Sequence, residues 1–217
     1  TYYEQNNFQK IIINHKNKIF SYLIPTIGDF QVYNSLCAIC LVFFSGIPIV
    51  KCLKEIKKIS QIPGRLENIR IPKRIKKKIS IFIDYAHTPD ALKKSLEVLK
   101  KKSSKLSVVF GCGGDRDRKK RPLMGKIANS LADKVYITDD NPRHESAKKI
   151  RKEIIYNCPK AIEVKNRYLA IMKAINNCEE GENLLIAGKG HENYQIIGKK
   201  IYRFSDKETV LKILKKI

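Results

Sequence analysis

The chain has 217 residues, 43% hydrophobic and 30% charged, which fits a globular protein with a real core and excludes a disordered or collagen-like chain. Its 44 Lys and Arg against 21 Asp and Glu give a formal charge of +23, a balance that favours polyanions. The cations are spread along the chain, with neither an aromatic-rich RNA-binding pattern nor a zinc-finger spacing, so the charge reads as solvated surface lysine.

Residues 1–23 read as short strands. A loop and then a helix follow over 28–46, and the helix holds the longest apolar run, LCAICLVFF at 36–44. That run is well short of the ~20 residues a membrane span needs. Cys37 and Cys40, in the one C-x-x-C of the chain, have no second pair and read as buried thiols. With no disulfide framework and no visible secretion signal, the expected location is reducing cytoplasm. The first residue is Thr rather than Met, which reads as a start inside a longer sequence. A second helix covers PIVKCLKEIKKI, and PGRLENIRI follows. The basic stretch PKRIKKK at 72–78 reads as a linker, and the domain boundary is expected there, giving domains 1–73 and 74–217.

Beyond the linker the pattern becomes strand, loop, helix, repeated, which predicts an α/β fold with a mostly parallel sheet. ISIFID is a strand, and Thr88 with Pro89 supplies a helix cap followed by Pro at the first helical position. Leu92, Leu96 and Leu99 then share one helix face. LSVVF is the next strand. Pro122 is expected to open a helix with Leu123, Met124, Ile127, Ala128 and Leu131 on one stripe. KVYIT, AIEV and NLLIA are further strands, with helices over AKKIRKEIIYN and RYLAIMKAINN between them. In the second of these, Ile171, Ala174, Ile175 and Cys178 stand at helical spacing. YQIIGKKIYRF reads as a hairpin turning at Gly198, and a last helix is expected to bury Val210, Leu211, Leu214 and Ile217.

Each polar cluster falls just after a strand: DYAHTPD, GCGGDRDRKKR, DDNPRHE and GKGHENYQ. Ligands of open α/β sheets bind at the strands' carboxyl ends, so the four loops are expected to line one cleft. The glycines of the second loop let backbone approach a ligand, and its basic run suits phosphate or carboxylate. It is neither a Walker A loop nor a dinucleotide fingerprint. GKGHENYQ offers Lys189, His191 and Glu192, but adjacent His and Glu do not share a helix face, and no metal site is expected. His15 and His144 read as plain surface residues. DDNPR suits a zwitterion: carboxylate and amide for an ammonium, a guanidinium fork for a carboxylate, and Pro142 to stiffen the loop. The same residues also fit a helix entry capped by Asp140 or Asn141.

DYAHTPDAL, FGCGGDRDRKKRPLMG, TDDNPR and AGKGHENYQIIG, in this order and spacing, closely resemble the C-terminal half of the Mur ligase family, in the branch that adds meso-diaminopimelate to bacterial cell-wall precursors. The resemblance runs from about Gly28 to the end of the chain. It implies a Rossmann-like C-terminal domain preceded by the tail of an α/β ATPase-type central domain. It implies that Arg116, Asp140, Asn141, Pro142 and Arg143 hold diaminopimelate, with Gly188 and Glu192 completing the pocket. It places Asn34 near the adenine of ATP, Arg65 near the phosphates, Asp84 at the ribose and His87 in the same nucleotide-facing loop.

The implied reaction is ATP-dependent amide formation. The glutamate carboxylate of UDP-N-acetylmuramoyl-L-alanyl-D-glutamate takes a phosphoryl group, the diaminopimelate amine attacks the acyl phosphate, and a tetrahedral intermediate releases phosphate. The implied protein is a cytoplasmic monomer using ATP and Mg²⁺, with no membrane and no specific nucleic-acid partner. Two departures stand out. Gln31 occupies a position, two before Tyr33, where the family usually has Asn. The UDP-sugar domain, the P-loop and the carbamylated lysine of the family are absent from these 217 residues, so most Mg²⁺ ligands are expected elsewhere and ligation by this chain alone is not expected. Two other classes remain open: a stand-alone amino-acid or nucleotide-binding module, and a basic nucleic-acid-binding domain.

Overall fold

The computed structural model describes residues 1–5 and 8–217 and divides the chain into two compact units, Thr1–Ile62 and Pro63–Ile217. Among the described residues no helix is long and apolar enough to cross a membrane.

The first unit holds β1 (Tyr2–Gln5), β2 (Phe8–His15) and β3 (Lys18–Ile24) in an antiparallel sheet, then α1 (Asp29–Phe44) and α2 (Ile49–Ile56). Lys16 and Asn17 both take positive φ (49° and 61°), the backbone of a two-residue type I′ turn whose twist matches the strands it joins. Ile11, Tyr22 and Ile24 of the sheet pack with Val32 and Ile39 of α1 and Cys52, Leu53 and Ile56 of α2. The Tyr22 hydroxyl finds Ser35 Oγ at 2.8 Å, and buried Gln9 donates to the Gly28 carbonyl at 3.1 Å, so both polar tips are satisfied. Cys37 and Cys40 are exposed, not buried. The helix is apolar on every side, and only the side carrying Val32 and Ile39 meets the sheet and α2.

The second unit continues with β4 (Glu67–Ile69), β5 (Ser80–Asp84), α3 (Pro89–Lys100), β6 (Leu106–Phe110), α4 (Lys120–Leu131), β7 (Lys134–Ile137) and α5 (Ala147–Ile155). It ends with β8 (Ile162–Glu163), α6 (Arg167–Asn176), β9 (Asn183–Ala187), the hairpin β10 (Tyr194–Ile197) and β11 (Lys200–Arg203), and α7 (Asp206–Lys216). The main sheet runs in the order β4-β5-β9-β6-β7-β8; β4 is antiparallel to β5 and the other pairings are parallel. The unit begins at Pro63 rather than at residue 74, because β4 is hydrogen-bonded to β5 and travels with this sheet.

Alternation along the strands sends Ile81, Ile83, Val109, Tyr136, Leu184 and Ile186 to one face, where they pack with α6 and α7. The opposite face takes α3, whose Leu92, Leu96 and Leu99 are fully buried. Thr88 caps α3 as expected, accepting from the Ala91 amide at 3.3 Å with Pro89 behind it. Three expectations shift. Helix α4 starts at Lys120, so Pro122 lies inside its first turn, where no amide donor is needed. Leu123 is exposed there, while Arg121, Met124, Gly125 and Ala128 are buried. In α7 the buried face is Asp206, Thr209, Val210, Ile213 and Leu214, and Leu211 and Ile217 point outward.

Candidate functional site

Strand β9 lies between β5 and β6, so the winding of the sheet reverses there and the loops on either side splay apart. The carboxyl ends of β5, β6, β7 and β9 supply four loops that line one cleft of about 450 Å³. Arg116, Asp140, Asn141, Arg143, Gly188, Glu192 and His87 all border it. Pro142 is buried behind it, and Asp84 and Arg65 lie outside its lining.

The loop after β7 is fixed from three sides. Gly114, in the loop after β6, has no room for a side chain: a Cβ there would stand 1.9 Å from the Pro142 carbonyl oxygen. The Gly114 amide donates to the Asn141 carbonyl at 2.9 Å, so the two loops touch backbone to backbone. Hairpin β10–β11 holds the second side. The Arg143 amide donates to the Ile196 carbonyl (3.1 Å), Gly198 donates to the Arg143 carbonyl (2.7 Å), and Gln195 Nε2 donates to the Asp140 carbonyl (2.6 Å). Gly188, at φ 110°, closes the third side, with Asp140 Oδ2 in the place a Cβ would need. Neither Asp140 nor Asn141 caps α5; Ser146 does, accepting from the Lys149 amide at 3.4 Å. That frees the two side chains for the cleft.

Arg143 has φ 51°, a region unusual for a residue with a side chain. Its Nη1 donates to the Gly114 carbonyl at 2.8 Å and, more weakly, to the Asn141 carbonyl at 3.4 Å, which sets the plane of the guanidinium. Asn141 is a crosslink: its Oδ1 accepts from the Ile196 amide (3.0 Å) and from Lys189 Nζ (3.0 Å), and its Nδ2 donates to Glu192 Oε2 (3.1 Å). Lys189 is fully buried and also reaches Glu192 Oε2 at 3.3 Å. Arg116 is exposed at the rim, with Nη1 on the neighbouring Asp115 carbonyl.

The basic run of the second loop divides its work. Lys120 lines the cleft and donates to the His87 carbonyl at 2.8 Å. Arg121 turns inward, fully buried, to Glu145 (2.8 and 3.1 Å) and Glu153 (2.7 Å). The carboxylates that this arginine meets are therefore internal. The bidentate Arg121 guanidinium, with the Asp115 amide and Arg118, holds the Glu145 carboxyl down at about 2. Cys112 also borders the cleft, but burial pushes its thiol up to about 12 and its sulfur lies against Met124, so it offers no nucleophile.

The residues expected at a nucleotide fall in both units, Asn34 in the first and Arg65, Asp84 and His87 in the second. Asp84 is buried. Its Oδ1 accepts from the Ala86 amide (2.9 Å) and its Oδ2 from Ser95 Oγ (3.0 Å), and its carbonyl accepts from the Gly188 and Gly190 amides. Burial raises the pKa of its carboxyl against the pull of those hydrogen bonds. The geometry makes Asp84 the anchor of the GKG turn. Arg65 lies over the Tyr85 ring, 4.4 Å from its centroid, and His87 packs against the same ring. Asn34 belongs to the first unit, on α1, where its Nδ2 reaches buried Gln31 at 3.4 Å. Among the described residues, no group of three or more His, Cys, Asp or Glu is placed to hold a metal ion. Lys189, Lys120 and Tyr194 were not singled out as site residues by the sequence. The one signal for Lys189 was its place between the two glycines of GKGHE.

The family profile described as Mur ligase, glutamate ligase domain, matches residues 64–190. The chain is 47% identical over 212 residues to a UDP-N-acetylmuramoyl-L-alanyl-D-glutamate–2,6-diaminopimelate ligase of Rickettsia rickettsii, and 43% identical over 203 residues to the ligase of the same name from Agrobacterium fabrum. These matches cover 95% and 93% of this chain but 43% and 41% of the relatives, so the chain spans less than half of their length. A solved structure of a ligase with that name superposes at a TM-score of 0.68 with 34% identity, over 96% of this chain and 43% of that one. A folylpolyglutamate synthase of Mycobacterium tuberculosis, 19% identical, shares the fold at a TM-score of 0.67 over 87% of this chain and 44% of that one. The strand order, the four converging loops and these matches agree: the chain belongs to the Mur ligase family.

Proposed function

We propose that Pro63–Ile217 forms the amino-acid pocket, and one wall of the nucleotide site, of an ATP-dependent ligase that adds meso-diaminopimelate to UDP-N-acetylmuramoyl-L-alanyl-D-glutamate. The observation that carries this reading is the convergence of GDRD, DNPR and GKGHE on one cleft. Its lining alternates charge, with Arg116, Lys120 and Arg143 set against Asp117, Asp140 and Glu192. Such a surface suits a ligand with two ammonium and two carboxylate groups better than one with a single carboxylate. Arg143, its plane fixed by the Gly114 carbonyl, turns its remaining donors to the carboxylate of the distal amino-acid centre, and Arg116 closes over it from the rim. Asp140 and Glu192 take the ammonium of that centre. The other amine is thereby held towards the acyl phosphate that it attacks, and catalysis rests on positioning and charge neutralisation.

Arg65, Tyr85 and His87 form the nucleotide-facing wall, with Asp84 supporting it from behind. ATP supplies the phosphoryl group. No step is assigned to Mg²⁺, because the described residues bring no metal-ligand cluster to this cleft.

Calorimetric titration of the chain with meso-diaminopimelate and with L-lysine tests the reading. Tighter binding of diaminopimelate is expected, and Arg143→Ala should cost about 2–4 kcal/mol of it, as loss of a desolvated bidentate contact does. Equal or tighter binding of lysine, or an Arg143→Ala variant with unchanged affinity, contradicts it.

A further inference from the structure

Lys189 is a long cation with no exposed surface, in a loop that otherwise serves a ligand. Burying an ammonium is costly unless every donor finds an acceptor. The acceptors here are the side chains of the candidate pocket: Asn141 Oδ1 at 3.0 Å, Glu192 Oε2 at 3.3 Å and, as an ion pair, Asp140 Oδ1 at 3.8 Å. The Tyr194 ring lies on another side, 5.7 Å from Nζ. The residue therefore touches three of the groups assigned to the ligand from the protein side, while they face the cleft on the other.

Two consequences follow from the geometry. Asp140 and Glu192 are like charges that meet at one ammonium, 3.8 and 3.3 Å from Nζ, and the shared cation offsets their repulsion. Asn141 has two possible amide orientations. With Oδ1 taken by Lys189 Nζ and the Ile196 amide, Nδ2 must point to Glu192 Oε2. Methionine at 189 removes one of the two donors that enforce this choice, glutamine leaves only a shorter, uncharged one, and either leaves the acids facing each other without a cation.

We infer that Lys189 is a positioning residue for the amino-acid substrate: its buried ammonium holds Asp140, Asn141 and Glu192 in the arrangement that receives the ligand's ammonium. It acts through those three side chains and does not touch the ligand. The inference rests on the proposed amino-acid pocket for its ligand, and on the hydrogen bonds alone for its geometry.

The test uses the 217-residue chain with Lys189→Met and Lys189→Gln, read in two ways. The first is the affinity for meso-diaminopimelate, which should fall about 30-fold or more in either variant, as happens when one partner of a buried charged pair is removed. The second is the Asn141 side-chain amide in nitrogen–proton spectra, which should move and broaden in both variants while backbone signals of the sheet persist. Should methionine unfold the unit, glutamine, which keeps a donor without the charge, decides. A folded variant with wild-type affinity overturns the inference, and so does an unmoved Asn141 amide. If the wild-type chain does not bind diaminopimelate, the proposed function fails; the Asn141 signal then still decides whether Lys189 sets this geometry.

Discussion

Helix α1 and helix α3 bury apolar faces in opposite circumstances. In α3, Leu92, Leu96 and Leu99 are fully buried and lysines cover the other side, so the helix has one apolar stripe and uses it. In α1 the apolar residues go all the way round: Val32 and Ile39 are buried, while Leu41 is 69% and Phe44 83% exposed. A groove of about 480 Å³ runs between α1 and α2, lined by Ile39, Val42, Ile47 and Ile56 among others. A helix apolar on every side is built to be covered on every side. The same contrast separates the units. Pro63–Ile217 closes its core on both faces of a sheet and locks its loops with buried ion pairs, whereas Thr1–Ile62 covers one face of α1 and leaves the other bare.

The sharpest way to break the comparison is at Arg167. This arginine and Asp206 are both fully buried, joined at 2.7 and 2.8 Å, and Arg167 also donates to the Ala187 carbonyl at the end of β9. Arg167→Ala leaves a buried carboxylate without its cation, so Pro63–Ile217 should lose about 3–5 kcal/mol in urea unfolding, while amide signals of Thr1–Ile62 keep their midpoint. A loss below about 1 kcal/mol would show that this pair does not hold the unit together.

A smaller effect is expected at Glu145, and it depends on pH. Its carboxyl is held at about 2, below the ordinary 4.5, so the folded state binds its proton less readily than the unfolded chain. The stabilisation is therefore complete above about pH 4.5 and lost as the pH falls towards about 2. Glu145→Gln should remove that part of the acid sensitivity of Pro63–Ile217, measured as the difference in unfolding free energy between pH 6 and about pH 3. An unchanged pH profile would contradict the assignment.

The smallest effect belongs to the bare face of α1. Leu41→Lys with Phe44→Lys should change stability by no more than about 0.5 kcal/mol, because both residues are largely exposed and Phe44 meets the Phe43 ring only edge to face. The pair should lower binding of a hydrophobic dye. A loss of stability above about 2 kcal/mol would mean that the face is covered within the chain itself.

Much of the second unit was legible because its strands are unbroken apolar runs and its helices carry one stripe each. ISIFID, LSVVF and NLLIA could hardly be other than buried parallel strands, and Thr88–Pro89 announces a helix by its chemistry. The face of α1 was not legible, since an all-round apolar helix gives no phase, and Cys37 and Cys40 were misplaced for that reason. Strand β4 has three residues and is specified by its partner rather than by its own sequence. The site loops could be assembled from their positions after strands, but not their internal wiring. Arg121 meets Glu145 and Glu153 across 24 and 32 residues of sequence, and Lys189 meets Asn141 across 48, separations at which no local pattern speaks. The family resemblance puts Asp84 at the ribose of ATP, and the zwitterion pattern of DDNPR puts Asn141 at an amino acid; the fold uses much of their hydrogen-bonding capacity to hold loops in place.

The account stands most directly on where an amino acid binds. Residue-resolved amide shifts during titration with meso-diaminopimelate locate it. The expected result is a set of large shifts at 113–116, 140–143 and 188–192, with the α1 signals unmoved. Shifts confined to Thr1–Ile62, or none in those three loops at saturating ligand, would contradict the claim that the loops form one amino-acid pocket.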